Sequence, residues 1–110
     1  MRRGDVVLIA DRGGGDFAGK PRPAVIVQAD VFDGTTSVIV CPLTGVEVDA
    51  PLLRVPVERS DALPLSGPSW VMVEKVTAIR RDRVGRVIDR LSDDEMVALQ
   101  RSLAVVIGFG

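Results

Sequence analysis

Apolar positions in this chain come in short runs, separated by polar stretches rich in glycine and proline. GDVVLIA, residues 4–10, is β-branched and bounded by Gly4 and a polar loop, which predicts a strand. PAVIVQA, 23–29, is nearly continuous in its apolar character, the pattern of a strand covered on both faces. In the following DVFDGTT, the pair Asp33-Gly34 signals a hairpin turn. TSVIVCPL, 36–43, is the returning strand, with Pro42 expected to end its regular pairing. LLRVPV, 52–57, carries Pro56 and predicts an edge strand. WVMVEKV, 70–76, predicts another strand, and DRVGRVIDRL, 82–91, a last one bent at Gly85. SDDEMVALQRSLAVVIGF alone has helical spacing, through Met96, Leu99, Leu103, Val106 and Ile107. Ser92 and Glu95 make an S-x-x-E capping box, Asp93 and Asp94 favour the first turn, and Gly108 is a stop.

These elements predict a single domain over residues 1–110 of the α+β class, mainly β. Five or six mostly antiparallel strands, strongly curved into a small barrel-like sheet, are followed by one C-terminal helix. Residues that are 46% hydrophobic and 26% charged make an ordinary globular balance and exclude disorder. The formal net charge of −1 excludes a global electrostatic grip on nucleic acid, so any polyanion site must be a local patch. The single cysteine, Cys41, excludes an internal disulfide and reads as a small buried hydrophobe. With no histidine and one cysteine, zinc sites and Ser-His-Asp or Cys-His mechanisms are ruled out within the chain. Catalysis would have to use arginine, lysine, carboxylates or hydroxyls. No apolar run has membrane-spanning length and the N-terminus enters a strand directly, so a cytoplasmic protein without a leader is expected. No G-x-x-x-x-G-K-[ST] spacing occurs, and no cofactor is expected.

Candidate chemistry starts at GKPRPAVIV, 19–27. Pro21 and Pro23 fix their own φ, and Pro23 pushes Arg22 towards extended backbone. Spacing alone makes Arg22 a solvated charge at a strand's mouth. Thr44, in PLTG, is by itself a turn residue whose hydroxyl bonds nearby backbone. Glu74 and Lys75 read as a charge pair. Arg12 and Lys20, with Gly13 to Gly15 between them, are either a basic flap or a solvated loop. The run RRDRVGR, 80–86, reads as a solvated face. Trp70, the only tryptophan, can stack a base but is expected in the core or at a dimer interface.

In this order, RGDVVLIA, KPRPAVIVQ, VIVCPLT, VMVEKVTAIRRDRVGRVIDRLSDDEM and LQRSLAVVIGF resemble the MazF/PemK-type (Kid-type) toxins of bacterial toxin–antitoxin systems. The glycine-rich loop before KPRP is shorter than the DP-x-x-G type of many members. The resemblance implies the CcdB/PemK-like toxin fold, an SH3-like curved antiparallel barrel with a C-terminal helix, assembled as a homodimer. It implies a sequence-specific, metal-independent endoribonuclease that cuts single-stranded RNA, leaves 2′,3′-cyclic phosphate and 5′-hydroxyl ends, and inhibits translation and growth. By position, Arg22 and Thr44 correspond to the family's catalytic pair. The family counterparts of Glu74 and Lys75 lie near the dimer and substrate groove, and with Arg12 and Lys20 of the basic flap they are the substrate-binding candidates. The implied partner is a MazE-like antitoxin whose acidic C-terminal segment crosses the RNA groove, in assemblies up to a heterohexamer. Two alternatives stay open. The same fold hosts CcdB-type toxins that bind DNA gyrase and cut nothing, and the ending VVIGFG with Phe109 suits such a contact. A catalytically inactive regulator that only binds partners is the other.

Overall fold

β-Branched residues crowd a helix but pack well on a pleated surface, and most of the runs rich in them become strands. In a computed structural model that describes residues 1–10, 21–58 and 68–109, these are β1 (Asp5–Ile9), β2 (Arg22–Ile26), β3 (Ser37–Thr44), β4 (Arg54–Val57), β5 (Ser69–Met72), β6 (Thr77–Arg80) and β7 (Val84–Arg90). One helix, α1 (Asp93–Ile107), closes the order. All pairings are antiparallel, in the order β4-β5-β3-β2-β1-β7, with β6 also on β3. The expected curved antiparallel sheet with a C-terminal helix is therefore present, as an open path of strands whose β6 and β7 are joined by a single turn, Arg81–Arg83.

The two-residue strand period sorts side chains onto two faces. Val6, Val25, Cys41, Leu43, Val55 and Val71 form one core with Met96 and Leu99 of α1. Val7, Ile9, Ala24, Ile26, Val38 and Val40 form a second core on the opposite face, with Ile79 and Val84 beside it. Strand β2 contributes to both, as its continuous apolar run predicts. Cys41 is fully buried, and burial first and the Glu74 charge second push its thiol up to about 12, so it is a packing residue and no nucleophile.

Three local expectations are corrected. The run 70–76 is not one strand: β5 ends at Met72, a 3-10 turn covers Val73–Lys75, and β6 begins only at Thr77. Both strands lie along the same edge of β3. Leu43 faces Val71 while Val40, three residues earlier, faces Thr77, six residues on; the excess is the three-residue turn. Second, β3 does not stop at Pro42 but runs through it to Thr44. The Ile39 carbonyl points to β2, where it accepts the Val27 N–H at 3.0 Å. Three residues on, Pro42 points to the other edge, and its missing N–H falls where β3 changes partner from β6 to β5. Third, Asp33-Gly34 is no two-residue hairpin. The connection winds through a 3-10 turn at Asp30–Phe32, and Gly34 is not among the glycines with positive φ. Gln28 holds this turn, donating to the Phe32 carbonyl at 2.7 Å and accepting the Ile39 N–H at 3.1 Å.

The expected bend at Gly85 is real. The β1–β7 register slips twice along the strands, and a Cβ at Gly85 would sit 3.0 Å from the Leu8 carbonyl oxygen. Helix α1 begins with the full capping box of Ser92 and Glu95 and ends at Gly108, left-handed at φ +101°. Among the described residues no helix is long and apolar enough to cross a membrane. Replacing the cap, Ser92→Ala, is expected to lower unfolding free energy by about 1 kcal/mol, read as a lower urea midpoint at unchanged slope.

Candidate functional site

Backbone register decides which polar residues meet. Ala24, Val25 and Ile26 of β2 face Pro42, Cys41 and Val40 of β3. The pairing ends at Ala24–Pro42; extended two residues, the same register would bring Arg22 opposite Thr44, and facing residues of antiparallel strands project to the same side of a sheet. Proline on either side does what the sequence predicts: Pro23 is buried, while Arg22 begins β2 in extended backbone with its side chain exposed.

Arg22 makes no hydrogen bond or ion pair among the described residues. It stands at the edge of a cleft of about 230 Å³ whose walls include Ile9, Val40, Pro42, Thr77 and Ile79. These walls are aliphatic apart from Thr77. A guanidinium beside low-dielectric walls attracts an anion more strongly than one surrounded by water. Thr44 is half-buried, and its Oγ1 accepts the Val46 N–H at 3.1 Å. The turn bond expected from PLTG therefore exists, and it does not compete with a site role. It occupies an acceptor lone pair and leaves the hydroxyl proton to be donated.

The remaining candidates separate. Glu74 does not pair with Lys75; both its carboxylate oxygens accept from Nη1 of Arg54, on β4. This bond is the main reason the Glu74 carboxyl is held below the usual glutamate range. Lys75 is exposed, and neither residue lines the Arg22 cleft. From that segment the cleft takes Thr77, which sequence reasoning missed because the 3-10 turn that positions it was unseen. Arg12, Lys20 and Gly13 to Gly15 lie outside the described residues. The basic run 80–86 is largely engaged in structure: Arg80 pairs with Asp82 at 2.9 Å, Arg81 donates to the Thr35 carbonyl at 2.7 Å, and Arg83 to the Ala10 carbonyl at 2.8 Å. Trp70 is half-buried on β5, directly facing Thr44.

Residues 2–107 match the family described as PemK-like, MazF-like toxin of type II toxin–antitoxin system. The chain is 44% identical over 108 residues to a protein of Mycolicibacterium smegmatis named probable endoribonuclease MazF, covering 98% of this chain and 97% of that one. Among solved structures it is similar to an endoribonuclease in complex with its cognate antitoxin from a Mycobacterial species, with TM-score 0.81, 22% identity, and 100% and 97% of the two chains covered. It is also similar to the Mycobacterium tuberculosis toxin MazF-mt6, with TM-score 0.76, 24% identity, and 96% and 98% covered. At these identities the two structures establish the shared fold.

The Arg54–Glu74 pair carries a pH dependence. A carboxylate whose folded-state pKa is depressed contributes stability that is full above its ordinary value and is lost as pH falls through the lowered one. Glu74→Gln should therefore lower the urea midpoint at neutral pH, and the gap to wild type should close on acidification. A constant gap across the titration would show that the charge is not what matters.

Proposed function

This chain belongs to the PemK-like, MazF-like toxins of type II toxin–antitoxin systems, and on that premise we propose that it is a sequence-specific endoribonuclease acting on single-stranded RNA. The observation that supports the reading is an Arg22 without a partner among the described residues, at an aliphatic cleft and on the strand whose register with β3, extended two residues past Ala24–Pro42, runs toward Thr44. In the reaction the ribose 2′-oxygen bonds to the adjacent phosphorus and the bond to the 5′-oxygen breaks. The products are a 2′,3′-cyclic phosphate and a 5′-hydroxyl. Arg22 forks onto the non-bridging phosphate oxygens, neutralises the charge that grows there, and supplies a proton to the departing oxygen. Thr44, its oxygen fixed by Val46 N–H, donates its hydroxyl proton to a phosphate oxygen and holds the scissile group in line. The 2′-proton leaves to solvent, because no carboxylate lines the described cleft and the chain has no histidine. The charge stabilisation falls to Arg22, so no metal ion is required.

Under this reading the protein acts in the cytoplasm as a homodimer. Its partner is an antitoxin whose acidic segment competes with RNA for the Arg22 cleft. An acidic peptide there satisfies the same guanidinium as a phosphate and orders on contact. Phe109 is 83% exposed, as a gyrase-binding toxin would require. The family match and the Arg22–Thr44 register favour RNA cleavage over that alternative.

The test is incubation of the purified protein with a long, weakly structured RNA in EDTA, beside Arg22→Ala, with both product ends mapped. Wild type should cut at a short recurring sequence and leave cyclic phosphate. Arg22→Ala should lose on the order of 100- to 1,000-fold in rate while melting like wild type, since an exposed strand-mouth side chain contributes little to packing. Cutting that depends on added Mg²⁺, or that survives in Arg22→Ala, would overturn this mechanism.

A further inference from the structure

Strand pairing continues beyond Thr44. Thr44 faces Trp70 on β5, and Trp70 faces Pro56 on β4. Thr44, Trp70 and Pro56 thus form one row across three strands, on one side of the sheet, and the β2–β3 register extended two residues past Ala24–Pro42 would bring Arg22 to the end of it. It is the side away from α1: Val55, Val57 and Val71, which alternate with Pro56 and Trp70, are buried in the helix-side core. At the ordinary spacing of strands the Trp70 position lies roughly 5 Å from Thr44 and roughly 10 Å from Arg22. That is the reach from a phosphate to a neighbouring base.

Trp70 borders a cleft of about 330 Å³, lined also by Arg54, Pro56, Glu47, Val48 and Asp49. This volume falls in the range of small-molecule sites, about 300–1,000 Å³. Its chemistry is selective. The indole offers a flat apolar surface with Pro56 beside it. Arg54 lines the cleft and is anchored by Glu74, so its guanidinium is held in place at the wall. Glu47 and Asp49 are exposed carboxylates that repel a phosphate and accept hydrogen bonds from base edges. Along the row the charge therefore runs from cationic at Arg22 to anionic beyond Trp70. That gradient orients a nucleotide with its phosphate at Arg22 and its base in the Trp70 cleft.

We propose that the cleft bordered by Trp70, Pro56 and Arg54 is a subsite for one nucleobase next to the scissile phosphate, with the base stacked on Trp70. The inference rests on the RNA-cleaving reading and assigns part of its sequence preference to this cleft. Single-stranded RNA is commonly read this way, with a splayed base stacked on an aromatic ring and its edge hydrogen-bonded. The carboxylates favour an edge that presents adjacent N–H donors, as guanine does through its N1 and exocyclic amino groups, over an edge of acceptors.

Because Trp70 is the only tryptophan in the chain, its fluorescence reports this subsite directly. A mixed-sequence 2′-O-methyl heptanucleotide, which lacks the attacking hydroxyl, serves as a non-cleavable probe, with binding followed independently by anisotropy of a labelled copy. Binding should quench Trp70 saturably. In cleavage assays Trp70→Leu, which keeps apolar bulk without an aromatic face, should raise KM on the order of 10- to 100-fold with a smaller change in kcat. Trp70→Phe should restore most of the loss, and both variants should melt close to wild type. Probe binding without quenching, or Trp70→Leu cleaving with wild-type KM, would overturn the subsite while leaving the nuclease intact. Failure of the wild-type protein to cut any RNA would instead overturn the RNA reading, and the subsite with it.

Discussion

Strand β3 is the constraint on which the rest of the structure depends. Its eight residues hold β2 along one edge, and β6 and then β5 along the other. Its side chains supply both cores, Val38 and Val40 on one face, Cys41 and Leu43 on the other. Since side chains alternate with a period of two, a slip of one residue would exchange these sets between the faces. The register is therefore strongly specified by burial. Thr44 sits at the end of this strand and inherits that precision. So do the residues facing it, Arg22 by extension of the β2 register and Trp70 by direct pairing. A site assembled from strand positions is pre-organised without lengthy side-chain scaffolding, which is what in-line attack on a phosphate requires.

Electrostatics then separate Arg22 from the arginines that build the molecule. Arg54 is engaged with Glu74, Arg80 with Asp82, and Arg90 with Asp5 at 2.8 Å. Arg81 and Arg83 spend their guanidinium donors on backbone carbonyls at the turn joining β6 to β7. Arg22 has no such commitment among the described residues, and its neighbours are aliphatic. In a chain with formal net charge −1, this is how a local cation can bind a polyanion that the molecule as a whole does not attract.

Much of the fold was legible because its determinants are local. Most of the β-branched runs, the Ser92–Glu95 box and the glycine at 108 each act within a few residues, and became the elements they predict. The break at Val73–Lys75 was not legible. No glycine or proline marks it, and Val71 and Val73 keep the alternation of an unbroken strand into the turn. The strand's passage through Pro42 depends on which edge the residue faces, a property of the partners rather than of the sequence nearby. The site divides the same way. Arg22 stood out through its flanking prolines, and the family resemblance paired it with Thr44. The partner of Glu74 was misassigned to its neighbour, because Arg54 meets it only through the β4–β5 pairing. Trp70's place beside Thr44 was not legible, because it depends on the pairing of β3 with β5.

The central claim is that Arg22 and Thr44 act as one unit on a single phosphate. A double-mutant cycle in RNA cleavage tests it most directly, using Arg22→Lys, Thr44→Val and the combination, with kcat/KM measured on one short substrate. If the pair is a unit, losing either residue should cost nearly as much as losing both, because the remaining partner no longer meets a correctly held phosphate. Fully additive losses in the double variant would mean that the two residues act independently, and would contradict the account.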